Sequence, residues 1–350
     1  MAQRDASAAV SKPWTSSAVV LLFVSLAWSE LSRYFYSSTG PLRGKKGAAP
    51  VDDDRAGCAL SLRESLGFIC DSNANWRERQ ERAVYQHPRQ EVSLDMTGPE
   101  FFTRNWEPNF SCVGLRRLGV PGDGGKWVCD PATVARLYDI GGESVGSGGA
   151  QCVVYSIGSA DMFSFEEDVH AALPHCAIHI FDHTVVDPHP PPFAKFHSIG
   201  LSSTDDGKLL TLASMRARLG HEHAMIEILK IDCECCEFDA VFPGDFSHVR
   251  QLLLEIHAFC PNWDPHAVHA FFNRMFLDGW VIYSKEPNTQ WCKGTCIEYS
   301  FLKLGWDAAG LERRARAQWC SGGWESSNPH VPRDAYLPAN MVRCKEWGGG

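Results

Sequence analysis

The chain has 350 residues, of which 44% are hydrophobic, 11% aromatic and 21% charged, and its formal net charge is −9 at pH 7. This composition is that of a globular protein that can bury one large core or two smaller ones. Because no basic stripe is available to neutralise phosphates, the charge balance argues against nucleic acid as the main partner and favours a neutral or cationic small ligand.

The N-terminal segment carries an apolar run over residues 16–28. Its length is that of the hydrophobic region of a signal peptide and is short for a membrane span. Ser25–Ala27 resembles a cleavage site, which predicts a secreted protein, whereas apolar residues further on extend the run into an uncleaved anchor. We favour an anchor in residues 1–36, followed by a flexible stem over residues 37–57 and a luminal domain, over a disordered terminus with a chance apolar patch.

Residues 58–150 form an N-terminal extension, which we expect to pack on the main domain or to lie over its mouth. It contains a charged helix over Trp76–Tyr85 and an aromatic segment over Phe101–Trp106. The glycine-rich stretch Gly119–Asp130 has two interpretations. It covers a ligand, with Lys126 as a cation, or it is only a structural turn.

The 14 cysteines are an even number, which permits disulfides in an exported protein. Cys112 and Cys129 flank the glycine-rich stretch, and Cys320 and Cys344 bracket a polar C-terminal segment, so both pairs are predicted to staple loops. Asn109 begins a glycosylation sequon, which has meaning only if this segment faces the lumen. Together with the apolar N-terminus, these features indicate the secretory pathway.

Strand-like and helix-like segments alternate over residues 151–305, which predicts an α/β domain with a mainly parallel sheet. The predicted strands are Cys152–Ile157, Ala177–Phe181, Phe196–Ile199, Ile226–Ile231, Gln251–Ile256, Trp280–Tyr283 and Ile297–Leu302. Residues 284–296 lack a helical period, so the last two strands are predicted to pair as an antiparallel hairpin.

Two amphipathic helices stand out between these strands. One follows Asp264 and ends near Gly279, a suitable C-terminal cap, and the other covers residues 209–219. The segment 306–350 is rich in glycine and arginine and is predicted to wrap the surface.

The first two strands end in residues that suit a nucleoside-containing ligand. Gly158 and Ser159 follow the first strand, and a helix containing Glu166 begins shortly after. A glycine lets the backbone approach a ligand, and a helix N-terminus offers free N–H groups. Only one glycine of the dinucleotide-binding pattern is present, which argues against nicotinamide and flavin cofactors. Asp182 ends the second strand and is placed either to bind ribose hydroxyls or to cap a turn.

The fourth and fifth strands end in an acidic cluster with a histidine. Asp232 and Glu234 follow the fourth strand, with Glu237 shortly after them, and Glu255 and His257 end the fifth. Because the carboxyl ends of parallel strands meet at one edge, these side chains are expected to converge there. They offer a general base near neutral pH or a metal site, although Asp232 and Glu255 could equally only cap loops.

The cysteines at positions 233, 235 and 236 invite a zinc interpretation, with Cys292 and Cys296 as a second pair. Their spacing is not that of two well-separated zinc-binding pairs. We therefore expect no metal, and either buried thiols or one local disulfide.

Taken together, the motifs resemble class I S-adenosylmethionine-dependent methyltransferases, specifically the FkbM-like and methyltransferase-like protein 24 type. The matching segments, in family order, are Gly122–Cys129, Val154–Gly158 with Phe165–Glu166, Phe181–Asp182, Leu219–His221, Leu229–Glu234, Leu254–His257 and Cys296–Phe301. The resemblance implies a Rossmann-like seven-stranded mixed sheet with helices on both faces. One departure is Cys235, which stands where the family has glycine.

The resemblance further implies that S-adenosylmethionine binds at Gly158, Ser159, Glu166, Asp182 and Asp232. It also implies O-methylation of a glycan or small-molecule hydroxyl. His257 is the candidate base, with Asp232 and Glu234 orienting the acceptor or the cofactor. The alternatives are a membrane-anchored glycosyltransferase that requires manganese and a non-catalytic luminal binding protein.

Overall fold

The structure is a computed structural model that describes residues 57–86, 98–122, 124–139, 151–308 and 310–311. The predicted anchor and stem, nearly all of the C-terminal segment and the pair Cys320 and Cys344 therefore lie outside the described residues. Within those ranges, no helix is long and apolar enough to cross a membrane.

The strands of the described residues are β1 Arg116–Leu118, β2 Lys126–Val128, β3 Val153–Ile157, β4 Ala177–Phe181, β5 Ala194–His197, β6 Gly200–Leu201, β7 Leu209–Leu210, β8 Ile226–Ile231, β9 Val249–His257, β10 Trp280–Asn288 and β11 Cys296–Lys303. Seven of them form one sheet in the order β10-β11-β9-β8-β3-β4-β5. The strands β3, β4, β5, β8 and β9 are parallel, whereas β11 pairs antiparallel with both β9 and β10. The mixed seven-stranded sheet is confirmed.

The helices are α1 Ala59–Glu64, α2 Asn73–Gln86, α3 Gly98–Arg104, α4 Pro131–Asp139, α5 Ser164–Ala172, α6 Leu212–Leu219 and α7 Pro265–Leu277, with a π-helical segment at Glu237–Val241. The predicted helix after Asp264 is α7, whose N-terminus is capped by the Asp264 side chain through the N–H of His266. Gly279 follows its C-terminus with a φ of +90°, as expected for a residue just beyond a helix end.

The antiparallel pairing of the last two strands is confirmed, although the strands are longer than predicted. The pairing runs from Trp280 opposite Lys303 to Asn288 opposite Cys296, so much of the predicted loop is strand. Local periodicity could not show this, because β10 becomes more exposed beyond Tyr283.

The central strands β3, β8 and β9 are mainly apolar and buried along their whole length, because both faces of the sheet are covered. Along β3, Val153, Tyr155 and Ile157 belong to one buried cluster, and Val154 belongs to the other. From β3 the chain first builds β4 and β5 on one side and then β8 and β9 on the other. Such a reversal of direction opens a crevice at the carboxyl ends of the two inner strands, and this is where open α/β sheets bind ligands.

The glycine-rich stretch forms the turn of an antiparallel hairpin between β1 and β2. Gln251 anchors it through two hydrogen bonds to the backbone of Cys129, of 2.8 and 2.9 Å, and Tyr283 and Ser300 donate to the carbonyl of Trp127. This anchoring carries Lys126 into the protein, where its exposed fraction is 2%. The predicted disulfide between Cys112 and Cys129 is present.

Every cysteine of the described residues is in a disulfide. The pairs are Cys58–Cys70, Cys112–Cys129, Cys152–Cys176, Cys233–Cys236, Cys235–Cys260 and Cys292–Cys296. The local disulfide predicted in the cysteine cluster is Cys233–Cys236. The alternative of buried free thiols is wrong there, because Cys235 pairs with Cys260 in a more distant loop. So many disulfides are consistent with an oxidising, secretory environment.

The interpretation of Asn109 as a glycan acceptor is wrong for the folded chain. Its exposed fraction is 2%, and its side-chain oxygen accepts a 2.7 Å hydrogen bond from the backbone N–H of Ile282. A sugar attached to this side chain would have to displace packed protein, so Asn109 has a structural role between α3 and β1.

Candidate active site

A cavity of about 290 Å³ opens at the crevice between β3 and β8. Its wall includes all of the predicted site residues: Gly158, Ser159, Glu166, Asp182, Asp232, Glu234 and His257. It also includes Lys230, Glu255 and the exposed Trp291. The residues that follow the first two predicted strands and those that follow the fourth and fifth therefore line the same cavity.

Gly158 is where the backbone comes close to another strand end. Its φ is +82°, and a Cβ atom placed on it would lie 1.7 Å from the carbonyl oxygen of Asp232. Lys230 donates a hydrogen bond to the carbonyl of Gly158. Glycine is therefore required here by the contact between β3 and β8, in addition to any approach of a ligand.

Asp182 organises the loop that follows β3. One of its oxygens accepts hydrogen bonds from the backbone N–H groups of Ser159 and Ala160, both at 2.9 Å. The other accepts from the N–H of Thr184 at 2.9 Å and from its hydroxyl at 2.6 Å. Burial alone would raise the pKa of Asp182, but these hydrogen bonds stabilise the carboxylate and lower the pKa to about 2. Asp182 is therefore ionised at neutral pH.

Glu166 presents a buried carboxylate at the same end of the cavity. Its exposed fraction is 1%, and one oxygen accepts a hydrogen bond from the hydroxyl of Ser156. The other oxygen is buried and has no hydrogen-bond partner among the described residues. An unpaired buried acceptor is unfavourable, so this oxygen is suited to a donor group supplied by a ligand.

His257 lies at the opposite end, surrounded by carboxylates. Its Nδ1 is 2.5 Å from Glu237 Oε1, while its Nε2 is 3.7 Å from Asp232 Oδ1 and 3.6 Å from Glu234 Oε2. Burial would lower the pKa of His257, but the hydrogen bond and charge of Glu237, with the charges of Asp232 and Glu255, raise it to about 9. The imidazole is therefore protonated at neutral pH in the ligand-free protein.

Lys126 occupies the centre of the buried carboxylates. Its Nζ is 3.4 Å from Asp232 Oδ2 and 3.1 Å from Glu255 Oε2, and it also contacts Glu298. Burial would lower the pKa of Lys126, but the three carboxylates together raise it. Burial would raise the pKa of Asp232, yet the positive charges of Lys126, Lys230 and His257 lower it. Lys126 is therefore the main fixed counter-charge of the acidic cluster.

Three members of this network were not among the predicted site residues: Lys126, Glu237 and Glu298. Glu298 lies directly opposite Glu255 in the antiparallel register of β11 and β9. Its signal in the sequence was a lone charged residue within a strand that is otherwise buried. Glu237 was expected in the acidic cluster after the fourth strand, but its contact with His257 was not predicted, because only the π-helical segment turns its side chain towards the imidazole.

Ligand atoms of Asp232, Glu234 and His257 lie within 4.8 Å of one another, a spacing that a cation could bridge. A second such group contains Cys292 and Cys296, but these two form a disulfide and offer no thiolate. The expectation that the site uses no metal stays a prediction.

The family model described as a methyltransferase domain matches residues 59–303. The chain belongs to the methyltransferase-domain family. The match begins at α1 and ends at the last residue of β11, so the strands and the cavity of this methyltransferase domain all lie within it. The resemblance to S-adenosylmethionine-dependent methyltransferases is thereby confirmed.

Comparison with curated proteins gives no significant match. Among solved structures, bluetongue virus VP4, described as a multifunctional RNA-capping production-line, is similar at 12% identity with a TM-score of 0.26. The alignment covers 67% of this chain and 38% of the viral chain. A similarity this low supports no conclusion about the methyltransferase domain.

Proposed function

We propose that this methyltransferase domain uses S-adenosylmethionine to methylate a hydroxyl of a glycan or small molecule in the secretory pathway. The observation that carries the proposal is that one cavity is lined by two different sets of residues. Gly158 and Asp182 follow β3 and β4, with Glu166 nearby on α5, whereas a histidine among carboxylates ends β9, on the far side of β8.

The first set of residues fits the cofactor. The unpartnered buried oxygen of Glu166 is suited to accept a hydrogen bond from its ammonium group, and the turn at Gly158 and Ser159 leaves room for its amino-acid part. Asp182 would bind the ribose hydroxyls. Of the groups that donate to Asp182, the hydroxyls of Thr184 and Ser159 can rotate away and free positions on the carboxylate oxygens.

The charge of the second set also fits. Four carboxylates face three cations: Asp232, Glu234, Glu237 and Glu255 against Lys126, Lys230 and His257. The cavity therefore attracts a positively charged molecule. When bound, S-adenosylmethionine supplies an activated methyl group on a positively charged sulfur. The protein then has to align the acceptor, exclude water and remove one proton.

His257 is the residue that we propose removes this proton. A cation in the cavity lowers the pKa of the imidazole, which favours loss of the proton on Nε2. Glu237 keeps the other nitrogen protonated, so Nε2 is free to accept the hydroxyl proton. Asp232 and Glu234, on either side of Nε2, would orient the acceptor.

Calorimetric titration with S-adenosylmethionine tests the proposal. We expect binding at micromolar concentrations, and no heat at millimolar concentrations would reject it. Transfer of a labelled methyl group to isolated secretory glycans and small molecules then identifies the acceptor. The family match disfavours a glycosyltransferase, and methyl transfer that proceeds without manganese would exclude that alternative.

The proposed setting is a type II membrane protein with a luminal catalytic domain, or a secreted protein if the N-terminal segment is cleaved. The disulfides support either form. We expect the partners to be small molecules or glycans and not nucleic acid. Both the chain, with a net charge of −9, and the cavity are acidic, and an acidic surface repels phosphates.

A further inference from the structure

The loop that follows β8 contains an unusual backbone conformation at two consecutive residues. Glu234 has a φ of +51° and Cys235 a φ of +83°. Residues other than glycine rarely adopt this left-handed region, because the Cβ atom crowds the backbone. Such a conformation persists only where surrounding interactions hold it.

Two crossed disulfides hold this loop. Cys233–Cys236 closes it on itself, and Cys235–Cys260 ties it to the loop that follows β9. Cys260 is buried, with 3% of its surface exposed. The second bridge therefore joins the ends of two adjacent strands, one ending next to Asp232 and the other at His257.

Glu234 depends on this backbone for its position. Its side chain is 74% exposed, so side-chain packing does little to direct it, yet its carboxylate lies 3.6 Å from His257 Nε2. Cys233, Glu234 and Cys236 all contribute to the cavity wall. A change of φ at residue 235 would therefore move both the carboxylate and the wall.

We propose that the Cys235–Cys260 disulfide is a positioning device: it holds residue 235 in the left-handed conformation that glycine would adopt without strain, and so places Glu234 beside His257. The proposal rests on the proposed function for its catalytic meaning. It also makes a correctly formed cofactor and acceptor site dependent on an oxidising compartment.

Reduction of the whole protein cannot test this, because it would also open the other disulfides. The test is a pair of double variants, Cys235→Gly with Cys260→Ala, and Cys235→Ala with Cys260→Ala. Both lose the cross-link, and they differ only in the residue that must adopt a positive φ. Cys58→Ala with Cys70→Ala is the control for loss of a disulfide at a distance from the cavity.

Affinity for S-adenosylmethionine is measured by calorimetry and stability by urea unfolding. We expect the glycine variant and the control to bind within about twofold of the wild type. The alanine variant should bind about tenfold more weakly, since alanine resists the left-handed region and a shifted loop would displace Cys233 and Cys236 in the cavity wall. The alanine variant should also have an unfolding equilibrium constant at least about threefold larger than that of the glycine variant.

Equal affinity of the alanine variant and the wild type would overturn the proposal. So would an equally weak glycine variant, because the cross-link itself, and not the backbone conformation, would then be what matters. If not even the wild type binds S-adenosylmethionine, the proposed function fails. The urea comparison still decides the inference in that case, because equal stabilities of the two variants would reject it.

Discussion

Gly158 and Asp232 touch through their backbones at the carboxyl ends of β3 and β8. A Cβ atom on Gly158 would lie 1.7 Å from the carbonyl oxygen of Asp232, far inside van der Waals contact. This contact joins the end of the cavity that contains Asp182 to the end that contains His257. Any side chain at position 158 would push the ends of β3 and β8 apart, and so would change the distance between Asp182 and His257.

Gly158→Ala is expected to destabilise the protein by about 2–4 kcal/mol, because overpacking adds to left-handed strain, and to weaken binding of S-adenosylmethionine at least about tenfold. Urea unfolding and calorimetry measure the two effects. Gly207→Ala is the matched control, since Gly207 also has a positive φ, of +59°, but its Cβ would meet no atom within 4 Å. Equal losses in the two variants would contradict the role of the close contact.

Asp182→Ala is expected to abolish measurable binding of S-adenosylmethionine, because it removes the proposed ribose ligand and releases the N–H groups of Ser159 and Ala160. Asp205→Ala is the control. Asp205 likewise accepts hydrogen bonds from a backbone N–H, of Thr211, and a hydroxyl, of Ser214, but it does not line the cavity. An unchanged affinity in Asp182→Ala would refute the ribose role.

Lys126→Met is expected to lower the free energy of unfolding by about 3–5 kcal/mol, because it leaves buried carboxylates without their counter-charge. Adding Glu298→Gln should recover part of this loss, because it removes one of the buried carboxyl groups that would be left without Lys126. Arg82→Met removes an exposed pair with Glu78 and should cost less than about 1 kcal/mol. Urea titrations of the four proteins provide the comparison, and a loss in Lys126→Met no larger than in Arg82→Met would contradict the role of Lys126.

The raised pKa of His257 predicts how stability depends on pH. In the folded protein the pKa is raised from 6.5 to about 9. The stabilisation is therefore complete below pH 6.5 and is lost as the pH rises through 9. For this buried group it amounts to at most about 3 kcal/mol.

In His257→Gln, the free energy of unfolding should depend less on pH between pH 6 and pH 10. His223→Gln, at an exposed position, is the control and should show the wild-type dependence. The carboxylates that face His257 are Glu237, Asp232, Glu234 and Glu255. The same slope in His257→Gln as in the wild type would show that another group causes the effect.

Most of the sheet could be predicted because its strands are mainly apolar, and an apolar run is visible without any knowledge of its neighbours. The convergence of Asp232, Glu255 and His257 followed from one rule, since the carboxyl ends of parallel strands share an edge. The contact of Glu237 with His257 could not be found in this way, because the side chain reaches the imidazole only through the π-helical segment.

Two further outcomes depended on long-range contacts. Asn109 matched a glycosylation motif, but its pairing with Ile282 buries it. Cys235 was only a departure from glycine until its bridge to Cys260 showed how a non-glycine residue can hold a positive φ.

The sequence by itself determined the strands, the antiparallel end of the sheet and which carboxylates and histidine lie at its carboxyl edge, because periodicity and order along the chain are local properties. Only the tertiary structure decided the electrostatic state of the site. Lys126 reaches Asp232 and Glu255 from a hairpin more than a hundred positions earlier in the chain, and Glu237 fixes the proton on His257. Burial and charge act through space, so the protonation of these groups depends on neighbours that no local pattern reveals.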